Sequence, residues 1–303
     1  MSDNNVIASR SLGARFCRSG LALTAASIAG IMILAAIFAP WLASQNPFDP
    51  AALDLSNSLI PPAWAPGGDA RFLLGTDDQG RDVLSALLYG SRISLMVGGA
   101  AVLFAAVIGV AVGLVAGYAG GWIDALAMRL ADVQLTIPAI LIALMVDALA
   151  HAVLPPARHE AVAIYVLIFS IGIADWPQYA RVVRAATAVQ KTLGYVQAAR
   201  VMGVRAPAIV LRHILPNVLS SVLVLVTLGL ALAIIAEATL SFLGVGMPPT
   251  APSLGTLIRI GNNFLFSGEW WITLFPALTL VILALAVNML GDWLRDALNP
   301  KLK

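Results

Sequence analysis

Long apolar runs separated by polar segments dominate the hydrophobic pattern of this chain. Six of them predict membrane-spanning helices, at residues 21–42, 93–117, 133–154, 161–176, 218–243 and 271–290. A helix needs about 20 apolar residues to cross roughly 30 Å of hydrocarbon, and a lipid-exposed segment must satisfy its own backbone groups. Barrel strands would be about 10 residues long with alternating polarity, and these runs do not alternate. We therefore predict an all-α polytopic membrane protein with six transmembrane helices.

The composition supports a bilayer as the main solvent. Of the 303 residues, 60% are hydrophobic and 11% are charged, whereas soluble domains have roughly 45–50% apolar and about 25% charged residues. The net charge of +2 gives no reason to expect nucleic acid as a partner. Cys17 is the only cysteine, so an intrachain disulfide is impossible. The first run follows arginines, as in a signal peptide, but it is too long for a typical one, and we expect it to be retained.

The basic residues predict the orientation, because cytoplasmic loops carry an excess of Lys and Arg. With the N-terminus inside, 13 of the 18 basic residues fall on the inner side. The inner ones are Arg10, Arg15, Arg18, Arg129, Arg181, Arg184, Lys191, Arg200, Arg205, Arg212, Arg295, Lys301 and Lys303. The outer ones are Arg71, Arg81, Arg92, Arg158 and Arg259. We expect a multi-pass membrane protein with both termini cytoplasmic.

This topology divides the chain into four parts. Residues 1–20 form a cytoplasmic tail, and residues 21–92 form the first span and a long periplasmic loop. Residues 93–292 form the core transmembrane domain, and residues 293–303 form a second cytoplasmic tail. Inside the core lies an inner loop at 178–217, and a long ordered loop of this kind is usually functional.

The second half of the inner loop predicts a helix–turn–helix at the cytoplasmic surface. Residues 195–202 contain no helix breaker, and Gly203 can end this helix in a left-handed conformation. Pro207 suits the first turn of a second short helix, and Pro216 should stop that helix before the fifth span. Ala199 and Gly203 would share a face of small residues. That face could receive another protein, or it could pack on the chain's own spans.

The same segment, YVQAARVMGVRAPAIVLRHILPN, resembles the "EAA" loop of ABC importer permeases, written E-A-A-x3-G-x9-I-x-L-P. Gln197 stands where Glu is usual, and His213 stands where Ile is usual. The matching residues are Ala198, Ala199, Gly203, Leu215 and Pro216. Other stretches resemble the "C" type subunit of the dipeptide/oligopeptide/nickel branch, and most of all dipeptide permeases. They are LLGTDDQGRDVLSALLYGSRISL, AGYAGGWIDALAMRLADV, EATLSFLGVGMPPTAPSLG and NMLGDWLRDALNPKLK.

The resemblance implies a type I ABC importer permease fold in the bacterial inner (plasma) membrane. It also implies a role as half of an alternating-access pathway for dipeptides or short oligopeptides. The implied partners are a second homologous permease subunit, two ATPase subunits, a periplasmic or lipid-anchored substrate-binding protein and the lipid bilayer. ATP and Mg would be bound by the ATPases, with no cofactor on this chain. The alternatives are another cargo, such as nickel or glutathione, or a secondary transporter or channel. Six spans would be few for a secondary transporter with inverted repeats.

Three groups of residues are candidates for function. The resemblance implies that the coupling loop to the ATPase contains Gln197, Ala198, Ala199, Arg200, Gly203, Leu215 and Pro216. Asp147 and Glu237 fall inside predicted spans, where a charge is costly and usually faces protein or a pathway. Each could line the pathway, but Asp147 could instead be hydrated at the membrane boundary, and Glu237 could serve packing of the outer gate. Outer-loop residues could contact the binding protein or tie the loop down with exposed ion pairs: Asp77, Asp78, Arg81 and Asp82.

Enzymatic and metal sites are not predicted. A phosphate-binding loop G-x4-G-K-[ST] is absent, because Gln190 precedes the only Lys-Thr pair, Lys191 and Thr192. This chain is therefore not the ATPase. The three histidines, His151, His159 and His213, are dispersed and lack the spacing of a metal site.

Overall fold

The computed structural model describes residue 16, residues 19–49, residue 51 and residues 53–298. Its α-helices are α1 (Gly20–Ile37), α2 (Ala39–Leu42), α3 (Val83–Ala119), α4 (Gly121–Leu135), α5 (Ala139–Val153), α6 (His159–Gln190), α7 (Gly194–Val201), α8 (Ala206–Ile209), α9 (Leu215–Phe242), α10 (Leu254–Asn262) and α11 (Trp271–Leu298). Short 3-10 turns lie at Leu55–Asn57, Pro156–Arg158 and Leu265–Ser267. Most of the predicted tails, with Cys17, Arg10, Arg15, Arg18, Lys301 and Lys303, lies outside the described residues.

Among the described residues, five helices are long and apolar enough to cross a membrane: α1, α3, α6, α9 and α11. A sixth span results if α4 and α5 are counted together, but these two helices meet at a bend of 89°. The predicted third span, 133–154, is therefore wrong as a single straight helix. Its first residues belong to α4, and Pro138 immediately precedes α5. A residue before proline is disfavoured in the helical region, so the chain breaks there despite continuous apolarity.

The predicted fourth span, 161–176, is only half of the observed helix. Helix α6 has 32 residues, which corresponds to about 48 Å. It continues through Pro177 into a polar half that reaches the inner loop. Proline removes the hydrogen bond to the carbonyl four residues earlier, and Gln134 of α4 donates its Nε2–H to that carbonyl, on Ile173. A side chain from a neighbouring helix thus allows α6 to remain continuous.

Helices α3 and α6 form the central pair of the fold. Three glycines of α3 lie four residues apart and face α6 carbonyls with the same spacing. They pair Gly109 with Trp176, Gly113 with Ala180, and Gly117 with Arg184. A Cβ at Gly113 would lie only 2.6 Å from the Ala180 carbonyl oxygen. Small residues at this spacing let membrane helices approach closely, so the α3–α6 contact is close enough to exclude side chains.

Candidate functional site

The inner loop contains the short helix that the sequence predicts. Helix α7 ends in a Schellman motif, in which Gly203 N–H donates to Arg200 O and Val204 N–H donates to Ala199 O, both at 3.0 Å. Gly203 has φ +76°, which is the left-handed conformation expected from the sequence. A Cβ at Gly203 would meet no other atom within 4 Å, so the space beside it is open.

The predicted stop at Pro216 is wrong. Helix α8 begins with Pro207 in its first turn, as expected, but then runs through a π-helical turn, Val210–Ile214, directly into α9. The wider turn is closed by Leu215 N–H donating to Val210 O. Pro216 follows in the first turn of α9, where a missing N–H is tolerated. The second short helix is therefore a rigid extension of the fifth span, not a separate element.

The two small residues of the loop have different surroundings. Ala199 is 2% exposed and, with Val196, packs into a cluster of the chain's own apolar side chains. The burial of Ala199 supports the interpretation that it packs on the chain's own spans. Gly203, in contrast, faces space that no other residue of the structure fills. The neighbouring Val201 and Met202 are 89% and 74% exposed. Of the other loop candidates, Leu215 is half-buried. The remaining four are exposed: Gln197, Ala198, Arg200 and Pro216.

Contacts from the loop to the adjoining helices hold it in place. Tyr195 Oη–H donates to Gln190 Oε1 at 2.7 Å and lies 3.3 Å from His213 O. Lys191 Nζ donates to the carbonyls of Gly117 and Tyr118 at the end of α3. The Arg200 guanidinium lies 5.2 Å from the centre of the Tyr118 ring, a cation–π contact. A force on α7 would therefore be transmitted to α3, α6 and α9.

Glu237 lies in a closed polar cluster and not on an open surface. It is fully buried, and its two carboxylate oxygens accept hydrogen bonds from Ser94 and Ser241, each at 2.7 Å. Ser94 Oγ in turn accepts from Leu254 N–H at 3.3 Å, and Ser241 Oγ accepts from Met247 N–H at 3.2 Å. The cluster joins α3, α9 and α10 away from the inner loop. This position supports the packing interpretation of Glu237.

Three charged residues of the outer loop are buried within it. Asp77, Arg81 and Asp82 are each 3% exposed, so the prediction of exposed ion pairs is wrong. The Asp77–Arg81 pair is long, at 3.9 Å, while Asp77 Oδ1 accepts from the backbone N–H of Gln79 and Arg81, each at 2.9 Å. Burial raises the pKa of Asp77 from 3.8 to about 6. The segment folds back on itself because Gly75 and Gly80 adopt positive φ angles.

Asp82 and Asp78 have separate roles in the same loop. Asp82 caps α3 by accepting from Ser85 N–H at 2.9 Å, and it also accepts from Ser44 Oγ–H at 3.0 Å. It therefore ties the end of α2 to the start of α3. The Asp78 backbone carbonyl accepts from Ser58 Oγ–H at 2.8 Å. These contacts support the loop-structure interpretation of the acidic cluster.

Asp147 pairs with His151, whose Nδ1 lies 3.1 Å from Asp147 Oδ2. It lines a cavity between the end of α5 and the start of α6. Asp175 is not among the candidates that the sequence predicts. It lies at the middle of α6 and lines an apolar cavity with Ala139, Thr239 and Leu240. The signal was present, because Asp175 is an acid next to Trp176 and Pro177 within a predicted span.

Comparison with known proteins identifies the family. Residues 109–303 match the family described as binding-protein-dependent transport system inner membrane component. The chain belongs to this family. Residues 10–62 also match the N-terminal transmembrane domain of oligopeptide transport permease C. The permease is 40% identical over 273 residues to the dipeptide transport system permease protein DppC of Haemophilus influenzae, covering 90% of this chain and 88% of that one.

Two further comparisons agree with this assignment. The permease is 41% identical to the dipeptide transport system permease protein DppC of Escherichia coli K12, covering 90% of this chain and 86% of that protein. A solved structure of the MetNI methionine ABC transporter in an inward-facing conformation matches with a TM-score of 0.56 at 20% identity, covering 70% of this chain and 96% of that one. The second match establishes the fold, which confirms the predicted type I ABC importer permease architecture.

Proposed function

We propose that this permease forms half of the pathway through which an ABC importer moves dipeptides or short oligopeptides into the cytoplasm. The observation that carries the proposal is the identity of 40% to a dipeptide permease over 90% of the chain. The other half is a second homologous permease subunit. A periplasmic or lipid-anchored binding protein delivers the peptide, and two ATPase subunits bind the ATP and Mg.

The coupling contact to the ATPase is the exposed side of α7 and its end at Gly203. Three features support this assignment: the open space at Gly203, the exposed apolar side chains of Val201 and Met202, and the contacts that join the loop to three long helices. Proteins rarely expose neighbouring large apolar side chains to water unless the patch binds a partner. A cleft on the ATPase would receive the helix, and closure of the ATPases would move α6 and α9.

Uptake in proteoliposomes tests the cargo. The complete complex, with its binding protein and internal ATP, should accumulate a labelled dipeptide, and excess unlabelled dipeptide should compete. Nickel and glutathione should neither accumulate nor compete. Vesicles lacking ATP are the control, because a secondary transporter or channel would still move cargo under an ion gradient. Uptake of nickel or glutathione but not of dipeptide would overturn the cargo assignment.

Thiol labelling tests the orientation. In a Cys17→Ser background, Leu55→Cys should react with an impermeant reagent added outside intact cells, because it lies in the predicted periplasmic loop and is 72% exposed. Thr192→Cys, exposed in the inner loop, should react only after the membrane is permeabilised. The reverse pattern would overturn the topology with cytoplasmic termini.

A further inference from the structure

A cavity of about 170 Å³ lies at the first turns of α6, and the inner loop follows the other end of this helix. Its walls come from the end of α5, the start of α6, the segment 244–249 after α9, and helix α10. Charged or titratable side chains from three of these elements converge on it: Asp147, His151, His159, Glu160 and Arg259. The inner-loop contact with the ATPase does not use this cavity.

The acidic side of the cavity is held by hydrogen bonds. His151 Nδ1 lies 3.1 Å from Asp147 Oδ2, and Glu160 Oε2 accepts from Thr250 Oγ1–H at 3.3 Å. The His159 ring lies 4.3 Å from that of His151, and its Nε2 is 2.8 Å from Leu154 O. The two carboxylates are thus positioned by neighbours while the Asp147 side chain remains 20% exposed.

Helix α10 contributes a cation to the cavity wall. The Arg259 guanidinium makes no hydrogen bond or ion pair with another side chain or carbonyl in the described part of the chain, although the residue is half-buried. Helix α9 ends in a Schellman motif at Gly244, whose φ is +88°. A Cβ at Gly244 would lie 2.8 Å from Arg259 Nη1, so the glycine leaves room for the guanidinium. Within the part of the chain that the structure describes, this guanidinium therefore has no hydrogen-bond acceptor.

We propose that this cavity binds the termini of a zwitterionic short peptide, with the peptide carboxylate on Arg259 and its ammonium group on Asp147 and Glu160. A guanidinium donates two parallel hydrogen bonds to a carboxylate, and the acids supply acceptors for an ammonium. A simple anion would be attracted by the guanidinium but repelled by the two carboxylates that line the same cavity. Among the described residues, no group of three or more His, Cys, Asp or Glu side chains could hold a metal ion. The inference rests on the proposed peptide cargo and adds a subsite on this subunit.

Protection from alkylation tests the subsite directly. In a Cys17→Ser background, Ala150→Cys places a thiol in the cavity wall, while Ala157→Cys places one in the adjacent exposed turn outside the wall. The complete permease–ATPase complex, without the binding protein, is treated with N-ethylmaleimide. A dipeptide at millimolar concentration should slow labelling of Ala150→Cys at least threefold and leave Ala157→Cys unchanged. The same dipeptide with an acetylated N-terminus and an amidated C-terminus should protect neither.

Variants at the cation separate recognition from packing. Arg259→Gln should abolish the protection by the dipeptide, and Arg259→Lys should keep part of it, because lysine retains the charge but not the paired donors. Equal protection by the capped peptide, or full protection in Arg259→Gln, would overturn the proposal. Dipeptide uptake by the complete complex is measured in parallel. If dipeptide is taken up but does not protect Ala150→Cys, the subsite proposal is wrong and the proposed cargo stands. If dipeptide protects Ala150→Cys but is not taken up, the proposed cargo is wrong and the binding site stands.

Discussion

Replacement of Gly203 separates backbone strain from docking. The residue has φ +76°, and a Cβ there would meet nothing within 4 Å. Any residue with a Cβ is disfavoured in this conformation by about 1–2 kcal/mol. That cost is small against a typical unfolding free energy of about 5–15 kcal/mol, so the permease should still fold and insert. The Gly203→Ala and Gly203→Leu variants carry the same strain and differ only in bulk.

The expected losses follow from these two effects. A strain of about 1–2 kcal/mol reduces the population of the docking-competent loop about 5- to 30-fold, and Gly203→Ala should weaken ATPase binding by no more than this. Gly203→Leu should weaken it further, because the added side chain enters the open space that the partner would occupy. Gly268 is a matched control, since it has φ +105°, is also free of neighbours within 4 Å, and lies in a connection outside the inner loop.

The assay is the affinity of the ATPase for the reconstituted permease, measured together with peptide-stimulated ATP hydrolysis. Gly268→Leu should behave as wild type in both measurements. If Gly203→Leu binds the ATPase and stimulates hydrolysis normally, the α7 loop is not the coupling contact. If Gly203→Ala and Gly203→Leu are equally impaired, the loss comes from strain alone and the steric part of the reasoning is wrong.

Three further predictions concern stability, each measured by unfolding of the purified permease in detergent. Glu237→Ala should lower the free energy of unfolding by about 1–3 kcal/mol for each hydroxyl left unpaired, whereas an unchanged value would mean that the buried cluster contributes nothing. Asp77 has a folded pKa of about 6 against an ordinary 3.8, so its stabilising contribution is complete below pH 3.8 and is lost as the pH rises through 6. The loss is about 3 kcal/mol, and Asp77→Asn should flatten this pH dependence. Gly113→Val should destabilise by about 1–3 kcal/mol through overpacking, and a neutral effect would contradict the close α3–α6 approach.

Local features of the sequence determined much of the fold. Apolar runs located the five continuous spans, because a segment in lipid must be apolar and must satisfy its own backbone groups. The run at 161–176 located α6 but covered only half of it. The end of α7 was also predictable, since Gly203 can adopt the left-handed conformation that closes the helix. The family motif located the inner loop, and the matched family confirms the class of protein.

How these helices fit together depends on contacts between residues far apart in the sequence. Pro138 interrupts a predicted span, whereas the helices continue through Pro177 and Pro216. Gln134 donates a hydrogen bond to the carbonyl that Pro177 leaves free. Pro216 follows a π-helical turn and lies in the first turn of α9. The burial of Glu237 could not be predicted either, because its partner Ser94 lies 143 positions away in the sequence. The convergence of Asp147 and Arg259 on one cavity has the same origin. Local pattern determines which segments are helical, but the environment of a charge is created by the residues that packing brings to it.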